Sequence, residues 1–397
     1  MNRNTDNIPF ALPSLGREEE EAVVRVLRSN WLTTGRETLA FEKEFASFLG
    51  VPKALAVNSA TAGLHLSLEA LGIRPGDRVI TCPFTFTASA EIVRYLAADI
   101  RFADIDSETF TIHPQEVERI LKEDKTCKAI IPIHLGGYPC DMEALCDLSE
   151  KFSASLVEDA AHSFPSRTEK GYLGTLGKAG VFSFYATKTI TTGEGGMIVT
   201  ADETLAKRIS TMRLHGIDRD VWDRYTSTKK QGWEYRIVEA GYKYNMTDLS
   251  AALGRVQLTK AELFNRQRRE IAEEYNKSFS DCGLLITPKD HPAHSWHLYI
   301  LQLNQEDLTI TRDEFINLLA EEGIGTSVHY IPLHIMPYYR SLYSHKPEDF
   351  PNSLKVYTRC VSLPVYPSLK EEQRERIIRT VLATAKKHHR RRIHGGS

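Results

Sequence analysis

The sequence predicts an α/β protein: a mostly parallel sheet covered by helices on both faces, followed by a smaller α+β domain. Two patterns carry this expectation. Up to about residue 200, short apolar runs alternate with stretches of 3.6-residue apolar spacing, and such alternation builds parallel sheets buried on both faces. Beyond about residue 250 the texture shifts to longer, charged amphipathic stretches. A chain of 397 residues, 42 % hydrophobic and 26 % charged, can bury substantial cores without disulfide or metal staples.

Seven apolar runs are the expected strands, at 54–57, 78–81, 100–103, 129–133, 155–157, 181–184 and 197–200. Between them, Leu64, Leu68 and Leu71 share one helical face, and Ile92, Tyr95 and Leu96 share another. Residues 251–278 read as one long amphipathic helix. After it come a strand at 297–303, a helix at 312–322 stopped by Gly323, a strand at 325–330 and a closing helix at 371–387. The expected domains are therefore 1–250, large, and 251–387, small. The basic segment 388–397, ending Gly-Gly-Ser, is set aside as a frayed tail.

Several function classes find no support. A formal net charge of -2 calls for neither nucleic acid nor an anionic membrane. No stretch reaches the roughly 18–20 apolar residues of a membrane span. The polar N-terminus lacks the apolar core of a signal peptide. The six cysteines form no CxxC pair and no metal spacing, and read as reduced thiols of a cytoplasmic protein.

Ligands of open α/β sheets bind at the carboxyl ends of the strands, so the residues that follow each run carry the chemistry. After the first run, Asn58, Ser59, Ala60 and Thr61 lead into a helix, which suits either a plain N-cap or an anion cup for a phosphate. After the second, Phe84 and Phe86 could stack on a flat ring or pack in the core. The fifth run ends in Glu158, Asp159 and, further on, His162. A carboxylate that closes a buried strand needs a cation or several donors, and a pyridinium nitrogen or a metal ion would serve. The sixth run leads through Ser183 to Lys188, then to Thr191, Thr192 and a Gly193-to-Gly196 stretch. Lys188 reads either as a solvated loop lysine or as a Schiff-base lysine of depressed pKa, with glycines that would let backbone approach a cofactor.

Taken in order, these are the parts that a pyridoxal-phosphate (PLP) site requires, and here a family resemblance becomes specific. The segments NSATAGLH (58–65), PFTF (83–86), EDAAH (158–162), FSFYATK (182–188), GEGGM (193–197), GYKYNMTD (241–248) and HYIPLH (329–334) resemble the DegT/DnrJ/EryC1/StrS sugar aminotransferases. The resemblance runs from about residue 13 to about residue 382. It implies the type I, aspartate-aminotransferase-like PLP fold, and it looks nearest to enzymes that aminate C4 of a nucleotide-linked keto-sugar, such as that of 4-amino-4-deoxyarabinose synthesis. By resemblance, Lys188 would carry PLP and shuttle protons, and Asp159 would hold the pyridine nitrogen protonated. Ser59, Ala60, Thr61 and Ser183 would bind the phosphate, Phe86 would stack on the ring with Phe84 as its rival, and His162 would lie near the ring oxygen. His329 would sit near the lysine amine. Asn245 would reach the phosphate of the partner subunit, which makes the site a property of a homodimer.

The reaction so implied takes an amino group from L-glutamate, releases 2-oxoglutarate and aminates a nucleotide-linked keto-sugar. Basic residues in and beside 215–244 (Arg213, Arg219, Arg224, Lys229, Lys230, Arg236 and Lys243) suit a pyrophosphate, and the loop 31–35 resembles the family's nucleotide-side loop. Some relatives carry His in place of the lysine and are dehydratases; Lys188 here keeps transamination as the expectation. A 3-keto-sugar or keto-inositol aminotransferase, and a PLP-binding regulator, remain alternatives. The segment 171–178 resembles a phosphate loop, but its glycine spacing is wrong and Ala179 stands where Ser or Thr belongs.

Overall fold

The structure, a computed structural model, describes residues 7–218 and 234–390. All seven expected runs are strands of one sheet. In chain order they are β1 (Lys53–Val57), β2 (Arg78–Thr81), β3 (Asp99–Phe102), β4 (Cys127–Ile130) and β5 (Ser155–Asp159). A short hairpin of β6 (Arg167–Thr168) and β7 (Gly171–Tyr172) follows, and then β8 (Ala179–Ser183) and β9 (Gly196–Thr200). The seven-stranded order is β1-β9-β8-β5-β4-β2-β3. Strands β2, β3, β4, β5 and β8 pair in parallel, and β9 runs antiparallel to both its neighbours.

Apolar side chains on both faces of these strands explain the layering. On one face Val57, Val79, Val157, Val181 and Ile198 pack with the helices Ala60–Ala70, Ala88–Tyr95 and Glu203–Met212. On the other, Ile80, Ile130 and Leu156 meet Pro114–Glu123 and Met142–Phe152. Ala56, Phe182 and Met197 on that face join Phe41 and Phe45 of the helix Arg36–Leu49. Parallel strands buried on both faces lose the polar alternation of a half-exposed sheet, which is why they read as continuous apolar runs.

The C-terminal part has a three-stranded antiparallel sheet of β10 (Leu285–Ile286), β11 (Tyr299–Leu303) and β12 (Cys360–Leu363). Ile271, Phe315 and Ile377, from the helices Ala261–Phe279, Arg312–Glu321 and Glu371–Lys387, cover it. Two expectations need correction. The long helix is two, Asp248–Thr259 and Ala261–Phe279, broken at Lys260, whose ammonium pairs with Glu18 at 2.8 Å and Glu19 at 2.7 Å. The break lets the first helix stay on the large-sheet core while the second turns to the smaller sheet. Residues 325–330 form no strand: Ser327 makes a single bridge to Ser362, Val328 packs against the core, and Ser327, His329 and Tyr330 line a cavity. At the far end, Arg390 is tied back by its N–H to the Asp307 carbonyl at 2.7 Å.

The start of Asp248–Thr259 also braces the start of Arg36–Leu49. Asp248 accepts from Gly35 N–H at 2.7 Å, Glu37 N–H at 3.2 Å, Thr38 N–H at 3.0 Å and Thr38 Oγ1 at 2.7 Å. Helix N-termini leave such N–H groups orphaned, and Gly35 has no side chain to cap them. Asp248→Ala should therefore lower stability by about 2–3 kcal/mol. The check is the midpoint of urea unfolding; an unchanged midpoint would show that the cap contributes nothing.

Candidate active site

A cavity of about 600 Å³ opens at the carboxyl ends of the parallel strands. Residues that follow β1, β2, β4, β5 and β8 all reach it, as strand-end geometry requires. Of the site residues expected from the sequence, all but Asn245 line it.

The floor after β1 is the start of the helix Ala60–Ala70. Ser59 is its N-cap, accepting from Ala62 N–H at 3.1 Å. Among the described residues no acceptor takes the N–H of Ala60 or Thr61, so two donors at the positive end of the helix face the cavity. The hydroxyl of Ser183, whose oxygen accepts from Tyr185 N–H at 3.3 Å, keeps its own proton free to donate beside them. Glycine matters here through close packing: a Cβ on Gly196 would stand 2.7 Å from Ala60 N and 2.8 Å from Ser59 O. The close approach expected of the Gly193–Gly196 stretch is thus to the backbone of the cup.

Asp159 ends β5 and is 5 % exposed. Its Oδ2 accepts from Ser89 Oγ at 2.7 Å and its Oδ1 from Ala161 N–H at 3.1 Å. Ser89 lies 3.3 Å from Thr85 Oγ1, so the carboxylate is the end of a short hydroxyl chain from the helix Ala88–Tyr95. Sequence reasoning missed Ser89; a serine in the first turn of a helix gives no signal of its own.

Lys188 follows β8. Burial lowers its amine to about 8, against the opposing pull of Asp159, and the charge of Arg268 adds to the lowering. Three imidazoles stand round it. His162 and His297 are pushed well below their ordinary value and His329 down to about 4, chiefly by burial and then by the Lys188 charge. All three are neutral at pH 7. Gly136 N–H donates to His162 Nδ1 at 3.2 Å, which leaves the ring proton on Nε2, 3.3 Å from Tyr330 Oη. His329 is held by Ser362 Oγ at 2.8 Å and stacks on Phe10 at 5.3 Å. Phe86 is 58 % exposed and faces the cavity, whereas Phe84 is fully buried near Phe110, which removes it as the stacking ring. Tyr330 and His297 also line the wall, and neither stood out in the sequence.

Glu158, beside Asp159, points to the other face. It accepts from Gly174, Leu176 and Gly177 N–H at 2.8, 2.6 and 2.7 Å and meets His134 at 3.1 Å. The phosphate-loop-like segment 171–178 thus holds an internal carboxylate in its backbone N–H groups.

Asn245 lies outside the cavity. Its Nδ2 donates to Thr34 Oγ1 at 2.7 Å, its Oδ1 accepts from Lys243 at 2.6 Å, and its backbone bridges Val57. Thr34 in turn donates to the Met246 carbonyl at 2.6 Å, so the loop 31–35 and the segment 243–248 form one unit. Among the basic residues expected near a pyrophosphate, Arg213 is buried against Glu42 and Ala56, and Arg236 pairs with Asp218 at 3.0 Å. Arg219, Arg224, Lys229 and Lys230 lie outside the described residues.

The model of the DegT/DnrJ/EryC1/StrS aminotransferase family matches residues 13–382. The protein belongs to that family. Family enzymes use PLP, and the parts described above fit it: an anion cup for the phosphate, an exposed aromatic face, a buried carboxylate for the ring nitrogen and an amine of lowered pKa. The protein is thus a PLP-dependent aminotransferase. The spore coat polysaccharide biosynthesis protein SpsC of Bacillus subtilis is 44 % identical over 377 residues, covering 94 % of this chain and 96 % of that one. A Streptococcus pneumoniae protein described as a sugar aminotransferase, solved in its PLP form, superposes with a TM-score of 0.88 at 31 % identity, over 96 % of this chain and 99 % of that one. Helicobacter pylori PseC, an aminotransferase involved in pseudoaminic acid biosynthesis, gives 0.88 at 30 % identity, over 96 % and 100 %. This aminotransferase is built like sugar aminotransferases along nearly its whole length. Among its described residues no helix is long and apolar enough to cross a membrane.

Proposed function

We propose that the enzyme moves an amino group from L-glutamate to the 4-keto carbon of a nucleotide-linked sugar, for a cell-surface polysaccharide or related glycoconjugate. One observation carries this reading: Lys188 and Asp159 converge on one cavity with the free N–H groups of a helix start. The polysaccharide biosynthesis role of SpsC and the sugar aminotransferase description of the Streptococcus pneumoniae protein supply the substrate class. We also propose a homodimer in which Asn245 completes the neighbouring site with the second hydrogen of its amide, one being held by Thr34.

When bound, PLP supplies an electron sink for the pair left by the broken C–H bond. Ala60 and Thr61 N–H and the Ser183 hydroxyl would bind and orient its phosphate. Phe86 would cover the ring. Asp159, fixed by Ser89 and Ala161, would be the counter-charge for the ring nitrogen. Lys188 Nζ would take the proton from the α-carbon of glutamate and return it two atoms further along, beyond the nitrogen; with the sugar it would move a proton the other way. An amine near pKa 8 retains a useful neutral fraction at pH 7. The neutral His162, His297 and His329 add no cation to compete for Asp159.

The test is an absorption spectrum of the purified protein with PLP, before and after L-glutamate. Glutamate should bleach the band of lysine-bound cofactor, and a 4-keto-sugar nucleotide should restore it. Restoration by 3-keto-sugars alone would move the amination to C3. A band indifferent to every amino donor would end the reading.

A further inference from the structure

Arg268 sits on the helix Ala261–Phe279, is 2 % exposed, and among the described residues has no carboxylate within ion-pair distance. A buried guanidinium without a counter-charge is costly, and helix packing alone would be better served by an apolar side chain. Its Nη1 donates to two backbone carbonyls, His297 at 3.3 Å and Val365 at 2.5 Å. Both residues line the active-site cavity, and they come from different segments, one entering β11 and one following β12. Among the described residues the Nε of Arg268 is buried without a partner, so the guanidinium is turned to this double contact at the expense of its own satisfaction.

We propose that Arg268 is a positioning residue of the active site, clamping the His297 and Val365 stretches of the wall by their carbonyls and holding a fixed positive charge behind it. The proposal rests on Lys188 as the cofactor lysine. Burial lowers Arg268 only to about 10, so it stays charged at neutral pH. In the low-dielectric interior that charge acts at Lys188, where it favours the neutral amine, and at His297. Among the described residues the groups facing Lys188 are few. Asp159 pulls toward the ammonium form, the neutral His162, His297 and His329 and the protonated Tyr330 are uncharged, and Glu194 lines the rim. Among the described residues Arg268 is the cation that offsets Asp159 without entering the cavity. Neutral Lys188 is the form that joins PLP and takes up a proton.

The experiment uses full-length protein freed of cofactor. PLP is added across a range of pH, the product is reduced with borohydride, and the labelled peptide is quantified by mass spectrometry. Wild-type labelling at Lys188 should rise through a midpoint near about 8. Arg268→Met and Arg268→Gln should move that midpoint up by about half a unit or more, a roughly threefold slower reaction at neutral pH. Glutamine can still donate to one carbonyl, so it tests the charge even if the methionine variant does not fold. Arg268→Lys keeps the charge and should keep the midpoint. Unmoved midpoints in the neutral variants, with only a lower melting temperature, would make Arg268 a structural tie and overturn the proposal. So would a lysine variant shifted as far as the glutamine one. Label on a lysine other than Lys188 in the wild type would instead overturn the reading on which the proposal rests.

Discussion

Lys188→Ala should reduce turnover by more than about a thousandfold, because in the proposed reaction one side chain serves both as the anchor for PLP and as the proton carrier. No neighbour among the described residues can replace it. His162, His297 and His329 are held so far below their ordinary values that they are poor bases, and Tyr330 is raised by burial and by Asp159, so its phenol keeps its proton. The fold should survive. Lys188 contributes a backbone hydrogen bond to the Tyr185 carbonyl at 2.9 Å, which alanine retains, and its side chain ends in the cavity instead of the core. The variant should still hold PLP through the cup and Asp159, but reversibly. Gel filtration with excess PLP should then remove the cofactor from the variant and not from the wild type. Appreciable turnover by the variant would take the proton transfer away from Lys188.

What the sequence disclosed and what it hid follow one physical division. Strands buried on both faces are nearly all apolar, so β1, β2, β4, β5, β8 and β9 stand out, and polar residues that close them, such as Asp159 and Lys188, stand out with them. The choice between Phe84 and Phe86 needed the structure, because both are apolar and two apart; the strand-end turn sends one into the core and the other to the cavity. Ser89, Tyr330, His297 and Arg268 were hidden for another reason. Each makes a contact across 70 or more residues of chain (Ser89 with Asp159, Tyr330 and His297 with His162, Arg268 with Val365), and such contacts leave no spacing to read. The break at Lys260 was equally silent, since its apolar periodicity runs on and the interruption is fixed by Glu18 and Glu19 from the N-terminal helix. Asp248 looked like one more motif residue, yet its carboxylate is consumed in capping a helix.

Asp159→Asn separates charge from shape at the other end of the site. The amide is the same size as the carboxylate, and the surroundings can receive it. Ala161 N–H can still donate to the remaining carbonyl oxygen. Ser89 can turn its proton to Thr85 Oγ1, 3.3 Å away, and offer its lone pair to the new NH₂ group. Folding should therefore be unchanged, with a circular-dichroism spectrum and melting curve like those of the wild type. Activity should not survive so well. A neutral amide cannot balance a positive ring nitrogen, and the loss of a fixed, buried counter-charge should lower kcat by at least about a hundredfold. The same substitution removes the carboxylate that pulls Lys188 toward its ammonium form, so the lysine pKa should fall further below 8. The variant should thus join PLP readily at pH 7, more readily than the wild type, and still fail to turn over. That opposition of two effects is what a purely structural aspartate would not produce: a misfolded variant loses both, and an aspartate without a role at the ring loses neither.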